Sequence, residues 1–348
     1  MANLALNCPT PLQYQHIVMA HGGGGRLMQQ LLSHYVQATF DNPILNQQHD
    51  SAVLDIGGAR LAFTTDSYVI KPLFFPGGDI GKLAVCGTLN DLAMSGARPL
   101  YLSCSLIIEE GLPLDDLQRI LDSMQATAAE AGVVFVTGDT KVVDRGKGDG
   151  LYINTAGIGV IDHAQIIHPE SIQPGDAIIV NSDIARHGMA VMLEREGLAF
   201  EHAIESDCAD VSGLIKSLLE AGVQIHCLRD LTRGGLASIL IELADASRLH
   251  FEIQEKELPI QPVVRSACDI LGFDPLYVAN EGCFALFCPP ADVPKTLEIM
   301  QQNGLGKQAR QIGSVGDKTS GSSVTLRTNL GISRGLSLLS GEQLPRIC

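Results

Sequence analysis

The chain has 348 residues, of which 45% are hydrophobic, 18% charged and 5% aromatic, and it contains no tryptophan. This apolar content is typical of a folded protein, and the length exceeds what one hydrophobic core usually supports, so we expect two domains. The formal net charge of −15 argues against nucleic acid as a partner, because an acidic protein repels a phosphate backbone.

The first half of the chain is predicted to begin with a loose leader, residues 1–20. A glycine run, Gly22–Gly25, then precedes a helix that begins at Arg26, where apolar residues recur at a spacing of four. The remaining expected elements are, in chain order, strand 59–66, helix 80–94, strand 100–108, a helix from Pro113 to Gly132, and strands 133–139 and 152–161.

A polar segment with proline and glycine, His168–Asp176, marks the expected boundary between two domains. We assign residues 21–165 to an N-terminal domain and residues 170–334 to a C-terminal domain. The elements expected in the second domain are strand 177–182, a helix from Gly188, helix 214–221, strand 223–228, helix 236–246, and strands 277–282, 284–288 and 324–327. The last fourteen residues, 335–348, show little periodicity and are expected to form a mobile tail.

The nine cysteines are odd in number and include no C-x-x-C pair, so they indicate neither a zinc site nor a disulfide framework. The first residues lack the basic and apolar segments of a signal peptide, and no run of about 18 apolar residues occurs. We therefore expect a cytoplasmic protein with no membrane partner, in which the terminal Cys348 is a free thiol.

Four aspartates share one local setting, in which an apolar segment runs into a loop or helix of small residues; they are Asp66, Asp91, Asp139 and Asp230. Taken singly, an aspartate before Thr, Ser or Gly often forms a turn or caps a helix. Asp91 fits that role poorly because it lies inside a predicted helix, which favours a tertiary or ligand role. If several of these carboxylates converge, a divalent cation such as Mg²⁺ would relieve their repulsion, and this indicates a nucleotide site.

Glycine-rich segments before helices support the same interpretation. Gly22–Gly25 and the segment 231–235 can direct backbone N–H groups at an anion, although most glycine runs are merely turns. The chain has no Walker A or Rossmann motif. Lys141 and Glu281 lie near the ends of apolar segments, where active-site groups often occur, but alone each fits an ordinary solvated residue. For His187 a capping or packing role is favoured.

Seven segments of the chain form a recognisable set: HGGGG (21–25), the block 64–103, TGDTKVV (137–143), INTAGIG (153–159), RDLTRGGL (229–236), ANEG (279–282) and the terminal PRIC (345–348). Together they resemble the HypE family of hydrogenase maturation proteins, within the PurM-like ATP-binding superfamily. The resemblance implies a two-domain PurM-like (AIR synthase-like) fold. An α+β N-terminal domain would form a homodimer through a barrel-like interface, followed by an α/β C-terminal domain and a flexible C-terminal tail.

The resemblance also implies roles for individual residues. ATP is expected in a cleft near the dimer interface, with Mg²⁺ held by aspartates. The implied metal and phosphate ligands are Asp66, Asp91, Asp139 and Asp230, and the implied neighbours of the phosphates are Gly22, Gly23, Gly24, Gly25 and Thr140. Cys348 matches the family's C-terminal cysteine, which accepts a carbamoyl group from HypF. Glu281 and Lys141 match positions associated with proton removal.

The implied activity is that of an ATP-dependent carbamoyl dehydratase, which converts a thiocarbamate on Cys348 to a thiocyanate. Phosphorylation turns the carbonyl oxygen into a leaving group, and a base removes the nitrogen protons. The cyanide would pass through a HypC–HypD-type acceptor to the iron of [NiFe]-hydrogenase. Two alternatives are a kinase that acts on a free small molecule, as selenophosphate synthetase does, and a non-catalytic nucleotide-sensing scaffold.

Overall fold

A computed structural model of the chain describes residues 14–198, 203–318, 323–339 and 347–348. These residues form two large β-sheets, one of five strands and one of seven, and helices pack on both. Most of the expected leader lies outside the described residues. Among the described helices, none combines the length and the apolarity that crossing a membrane requires.

The five-stranded sheet is built from the first half of the chain. Its region contains helices α1 (Arg26–Leu31) and α2 (Ala38–Phe40), strands β1 (Ala52–Ile56), β2 (Ala59–Tyr68), β3 (Phe74–Phe75) and β4 (Gly78–Asp79), helix α3 (Ile80–Met94), strand β5 (Arg98–Glu109), helix α4 (Leu114–Glu130), and strands β6 (Val134–Val143) and β7 (Leu151–Val160). The strand order is β1-β2-β7-β5-β6, and β3 and β4 form a separate hairpin. Strand β6 runs parallel to β5, whereas the other neighbours in the large sheet are antiparallel.

Helix α3 packs against this sheet, and almost all of its residues are buried. Asp79 caps the helix, because its carboxylate accepts hydrogen bonds from the N–H groups of Gly81 (2.7 Å) and Lys82 (3.2 Å). The helix can approach β7 closely because Gly157 has no side chain; a Cβ there would lie 2.8 Å from Thr88 Cγ2. This close packing fixes the last turn of α3, which carries Asp91, relative to the sheet.

The seven-stranded sheet is built from the second half. Its elements are strand β8 (Ala177–Val180), helices α5 (Arg186–Glu196) and α6 (Ser212–Glu220), strand β9 (Cys227–Asp230), helix α7 (Gly235–Ser247), strand β10 (His250–Gln254), helix α8 (Pro262–Leu271), strand β11 (Phe284–Cys288), helix α9 (Val293–Gln302), and strands β12 (Arg310–Gly316), β13 (Val324–Arg327) and β14 (Ser333–Gly335). The strand order is β14-β13-β10-β12-β8-β11-β9.

Helices cover both faces of this second sheet. Every residue of β8 and β11 is buried, because α7 packs on one face and α6 and α9 pack on the other. Helices α5 and α8 instead share a hydrophobic cluster with α3 and the end of β2. This shared cluster joins the two halves of the chain.

Most of the predicted elements are confirmed, and α3 has the predicted bounds. The predicted strand 277–282 is wrong, because a short 3₁₀ turn at Pro275–Tyr277 and an irregular segment occupy these positions. There the side chain of Asn280 forms the hydrogen bonds that a neighbouring strand would otherwise supply. Its amide group donates to the carbonyls of Leu231 (3.1 Å) and Val278 (3.0 Å), and its Oδ1 accepts from the Ala185 N–H. Strands β1, β10 and β12 and helices α8 and α9 are further elements that the sequence reasoning missed.

The end of the chain is packed against the protein where the structure describes it. Leu336 is buried, and the carbonyl of Leu339 accepts a hydrogen bond from the Arg26 N–H at 3.0 Å. At the C-terminus, Ile347 forms an antiparallel bridge with Ile70, just beyond the end of β2. Of the expected mobile tail, residues 335–339 and 347–348 therefore contact the rest of the chain.

Candidate active site

A cavity of about 270 Å³ is lined by residues from both halves of the chain. Its lining includes Gly24, Asp50, Thr64, Asp66, Tyr68, Gly87, Asp91, Arg229, Asp230, Thr232, Arg233, Glu242, Glu281 and Cys348. The structure thus brings together six of the predicted site residues, which are Gly24, Asp66, Asp91, Asp230, Glu281 and Cys348. These residues come from distant parts of the sequence, so the cavity depends on the packing of the two halves.

Three carboxylates form a compact cluster in the cavity. Asp50 precedes β1, Asp91 lies in the last turn of α3 and Asp230 ends β9; one oxygen from each lies within 4.8 Å of the others. Burial raises the pKa of all three, that of Asp230 to about 6, and carboxylates within the site raise each pKa further. The repulsion that a cation would relieve is therefore present in the structure.

The donor set suits a hard divalent cation. Oδ2 of Asp50 is buried and has no hydrogen-bond partner among the residues that the structure describes, while its Oδ1 lies 2.9 Å from Arg229 Nε. Asp91 Oδ2 accepts a hydrogen bond from the Thr64 hydroxyl at 2.8 Å, which orients that carboxylate. Mg²⁺ in proteins is usually coordinated by a few carboxylate oxygens together with the phosphate oxygens of a substrate. These residues therefore fit a magnesium–nucleotide site.

Asp50 was not identified from the sequence. It lies in the polar segment QQHDSA, directly before a strand that the sequence reasoning also missed. Had β1 been predicted, Asp50 would have shared the setting of the other aspartates, at the junction of an apolar strand and a loop. Tyr68 and Arg233 also line the cavity and were not singled out.

The predicted residues on strand β6 lie elsewhere. Asp139 and Lys141 are both exposed and pair with each other, with Lys141 Nζ 2.8 Å from Asp139 Oδ2. This ion pair lowers the pKa of Asp139. Thr140 lies between them on the same exposed edge strand. Neither Asp139, Thr140 nor Lys141 lines the cavity of its own chain.

The glycine loop packs backbone against backbone beside the cavity. Gly24 has a φ of 71°, and a Cβ there would lie 2.7 Å from the carbonyl carbon of Arg233. Gly234 has a φ of 78° and faces Gly24 in return, so both positions require glycine. A Cβ at Gly25 would lie 2.6 Å from the carbonyl oxygen of Leu339. Of the run Gly22–Gly25, only Gly24 lines the cavity.

Glu281 is the most buried acid in the cavity, with 3% of its surface exposed. Its Oε1 has no hydrogen-bond partner in the described part of the chain, whereas its backbone is held by Asp207 and by the side chain of Asn90. Burial, together with the nearby Cys208 and acidic side chains, raises the pKa of Glu281. A carboxylate in such a setting binds a proton more readily than an ordinary glutamate, so it is a stronger base when it is ionised.

Cys348 lies at the cavity because the last two residues of the chain lie antiparallel to the segment just after β2. Ile347 pairs with Ile70, and the N–H of Val69 donates to the carbonyl of Cys348 at 3.4 Å. Burial raises the pKa of the Cys348 thiol to about 12, although the nearby Arg233 guanidinium favours the thiolate. The docked thiol is therefore protonated and a weak nucleophile near neutral pH.

Comparisons with known proteins agree with this arrangement. The family models for the N-terminal and C-terminal domains of AIR synthase related proteins match residues 48–161 and 173–325, which confirms the expected PurM-like fold. Carbamoyl dehydratase HypE of Cupriavidus necator is 47% identical over 341 residues, covering 98% of this chain and 97% of that protein.

Two solved structures are similar over most of the chain. HypE in complex with ATP is 45% identical, with a TM-score of 0.80, and the match covers 96% of this chain and 100% of that one. The HypE–HypF complex contains a chain that is also 45% identical, with a TM-score of 0.84, covering 89% of this chain and 99% of that one. With the cavity, the acidic cluster and the terminal cysteine in place, these matches show that the chain belongs to the HypE family of carbamoyl dehydratases.

Proposed function

We infer that this chain is an ATP-dependent carbamoyl dehydratase of hydrogenase maturation, and that its substrate is the thiocarbamate on its own Cys348. One observation carries the inference: the terminal cysteine lies in the cavity that also holds the acidic cluster and the buried Glu281. A carrier cysteine must reach the catalytic groups of its own chain, and the C-terminal dipeptide already lies beside them.

The reaction converts S–C(=O)–NH₂ and ATP to S–C≡N, ADP and phosphate. ATP, when bound, supplies the phosphoryl group that converts the carbonyl oxygen into a leaving group. We propose that Glu281 then accepts one proton from the nitrogen, because its carboxylate lines the cavity beside Cys348 and its Oε1 has no hydrogen-bond partner among the described residues. The second nitrogen proton leaves with the departing phosphate. The sulfur stays bonded to the carbon throughout, and the C–O bond is the one that breaks.

The acidic cluster is proposed to hold Mg²⁺ and, through it, the phosphates. Asp91 and Asp230 are expected ligands, joined by Asp50, while Asp66 faces the same cavity. The HypE structure solved with ATP supports nucleotide binding in this chain. The close packing of Gly24 against Arg233 and Gly234 would place the glycine loop next to the phosphates.

A homodimer is proposed from the open face of the five-stranded sheet. Phe63, Tyr101, Ile107 and Ile158 are all exposed. Strand pairing places Ile158 opposite both Phe63 and Tyr101, and Ile107 lies farther along β5. Four large apolar side chains on one sheet face predict a partner surface, and a second copy of the same face would form a barrel-like interface.

The exposed strand β6 lies on the edge of this sheet, and Lys141 pairs in register with Ile107 of the apolar face. We propose that Asp139, Thr140 and Lys141 act at the cavity of the partner subunit in the homodimer. This would reconcile the roles implied by the family resemblance with their distance from the cavity in their own chain.

The proposed partners are HypF as carbamoyl donor and a HypC–HypD complex as cyanide acceptor. The HypE–HypF complex supports the first of these. We place the protein in the cytoplasm, since all eight cysteines in the described residues are free thiols, as expected in a reducing compartment.

Mass spectrometry of the C-terminal peptide tests the proposed function. After incubation with HypF, carbamoyl phosphate and ATP, we expect a carbamoyl adduct on Cys348 that loses one water. In Glu281→Ala the adduct should form and persist. If Cys348 stays unmodified while ATP is consumed, a kinase acting on a free small molecule becomes the better assignment. If neither change occurs and Cys348→Ser retains hydrogenase maturation, the chain acts as a scaffold.

A further inference from the structure

His187 lies at the start of α5, is fully buried, and makes a hydrogen bond to the C-terminal dipeptide. Its Nε2 lies 2.5 Å from the carbonyl oxygen of Ile347, and its Nδ1 lies 2.8 Å from the hydroxyl of Ser206. The sequence alone favoured a capping or packing role. Both ring nitrogens are instead engaged, one of them by the residue next to Cys348.

The hydrogen-bond partners define which nitrogen carries the proton. A backbone carbonyl only accepts, so Nε2 must donate to Ile347. In the neutral ring Nδ1 then accepts from the Ser206 hydroxyl. That hydroxyl in turn accepts from the Cys208 N–H at 3.0 Å, and the Ser206 N–H donates to the Pro76 carbonyl at 2.8 Å. A chain of directed hydrogen bonds therefore runs from a fixed loop through the imidazole to the C-terminus.

The imidazole is also fixed by its apolar surroundings. The ring of Phe75 meets that of His187 edge-on, with centroids 5.4 Å apart. Burial lowers the pKa of His187, which keeps the ring neutral, as the proposed tautomer requires. The Nε2–H group of His187 is thus already oriented towards the Ile347 carbonyl, and the ring does not have to rotate or change tautomer to donate.

We propose that His187 is a positioning residue that latches the C-terminal dipeptide in the active site by donating its Nε2–H to the Ile347 carbonyl. The latch fixes the backbone one residue before the cysteine, so the carbon carried on sulfur stays close to Glu281. The inference rests on the proposed function for its catalytic consequence, but the docking of the tail can be measured without it.

The latch predicts how exposed Cys348 is to a thiol reagent. Losing the donor leaves a buried carbonyl unpaired, which shifts the docking equilibrium by about 10-fold. His187→Leu introduces an apolar side chain of similar size that has no hydrogen-bond donor, whereas the side-chain amide of His187→Gln can still donate. We expect iodoacetamide to alkylate Cys348 about 10-fold faster in His187→Leu than in wild type, and His187→Gln to lie within about threefold of wild type. Alkylation of Cys104 should stay unchanged as an internal reference.

The same variants separate a latch from a packing role. A packing role predicts that the apolar His187→Leu is tolerated better than His187→Gln, which is the opposite order. The latch also predicts that carbamoylated Cys348 is dehydrated more slowly in His187→Leu than in His187→Gln in a single turnover. The affinity for ATP should be unchanged in both variants. If His187→Leu does not fold, as judged by its unfolding transition, then His187→Asn takes its place, because its shorter amide cannot reach the carbonyl.

Equal alkylation rates in wild type and the donor-free variant would overturn the latch, as would a His187→Gln variant that alkylates as fast as His187→Leu. If wild type docks its tail but the carbamoyl adduct loses no water with ATP, the proposed function fails while the latch stands. The two outcomes are thus distinguishable in one set of samples.

Discussion

The docking of the C-terminus predicts the effect of substituting Ile347. This side chain is 4% exposed and packs in the cluster that contains Tyr68 and Ile70. Ile347→Ala removes three buried carbons, and at about 0.8 kcal/mol for each CH₂ this weakens docking by about 2.4 kcal/mol. Since 1.4 kcal/mol corresponds to a factor of ten, the equilibrium between docked and released tail should shift by about 50-fold.

Alkylation of Cys348 reports this equilibrium. Burial raises the pKa of the docked thiol to about 12, so at pH 8 only about one thiol in 10⁴ is ionised, against about a quarter for an ordinary cysteine. The reagent therefore reacts almost entirely with the released tail, and the rate follows the released fraction. We expect Ile347→Ala to be alkylated up to about 50-fold faster than wild type, and Ile347→Val, which loses one carbon, about fourfold faster.

Two results would contradict the reasoning. The first is a wild-type Cys348 that reacts as fast as in the denatured chain, because the tail would then not be docked in solution. The second is alkylation of Ile347→Ala and Ile347→Val at the wild-type rate, because the buried side chain would then not hold the terminus.

Other predictions concern the cavity, the glycine loop and the interface. Glu281→Gln should bind ATP with wild-type affinity by calorimetry yet leave the carbamoyl adduct intact, because it keeps the shape of the side chain without its basicity. Without metal, the raised pKa of Asp230 makes the folded state bind more protons than the unfolded state between about pH 4 and 6. The free energy of unfolding should therefore fall as pH rises through this range. Urea denaturation should show a smaller fall for Asp230→Asn than for wild type. Gly24→Ala should lower the free energy of unfolding by at least about 1 kcal/mol, because φ is positive and the Cβ meets the backbone of Arg233, and an unchanged urea midpoint would contradict this. Tyr101→Glu should give a monomer in analytical ultracentrifugation if the open sheet face is the dimer interface, and a wild-type protein that is itself monomeric would refute that interface.

Local sequence signals identified much of the fold where they were strong. Helix α3 was predicted to its bounds, and in the structure Asp79 caps the long apolar segment that follows it. Strand β12 was missed because its sequence, RQIGSVG, contains two glycines and resembles a loop. The segment 277–282 has the apolar residues of a strand, but Asn280 satisfies the backbone groups of three neighbouring segments there, which is a tertiary effect that local pattern does not report.

The candidate site was only partly predictable for the same reason. Asp91 was conspicuous because an aspartate is a poor choice inside a helix, and the structure places it in the acidic cluster. Asp50 carries no such signal, since it follows a polar loop and joins the cluster only through the pairing of β1 with β2. The contact of His187 with Ile347 spans 160 positions of sequence, so no local pattern could indicate it.

The hydrogen bond between Arg26 and Leu339 limits the distance that the proposed carrier, Cys348, can move away from the glycine loop. Leu339 is held on the glycine loop, and Cys348 follows nine residues later. Nine residues span at most about 32 Å when fully extended, so a partner that acts on Cys348, as proposed above, would have to bring its reactive centre within that distance of the loop. Because Cys348 belongs to the same chain as its cavity, the return of the loaded thiol is an intramolecular event and should not depend on how much of the protein a cell contains.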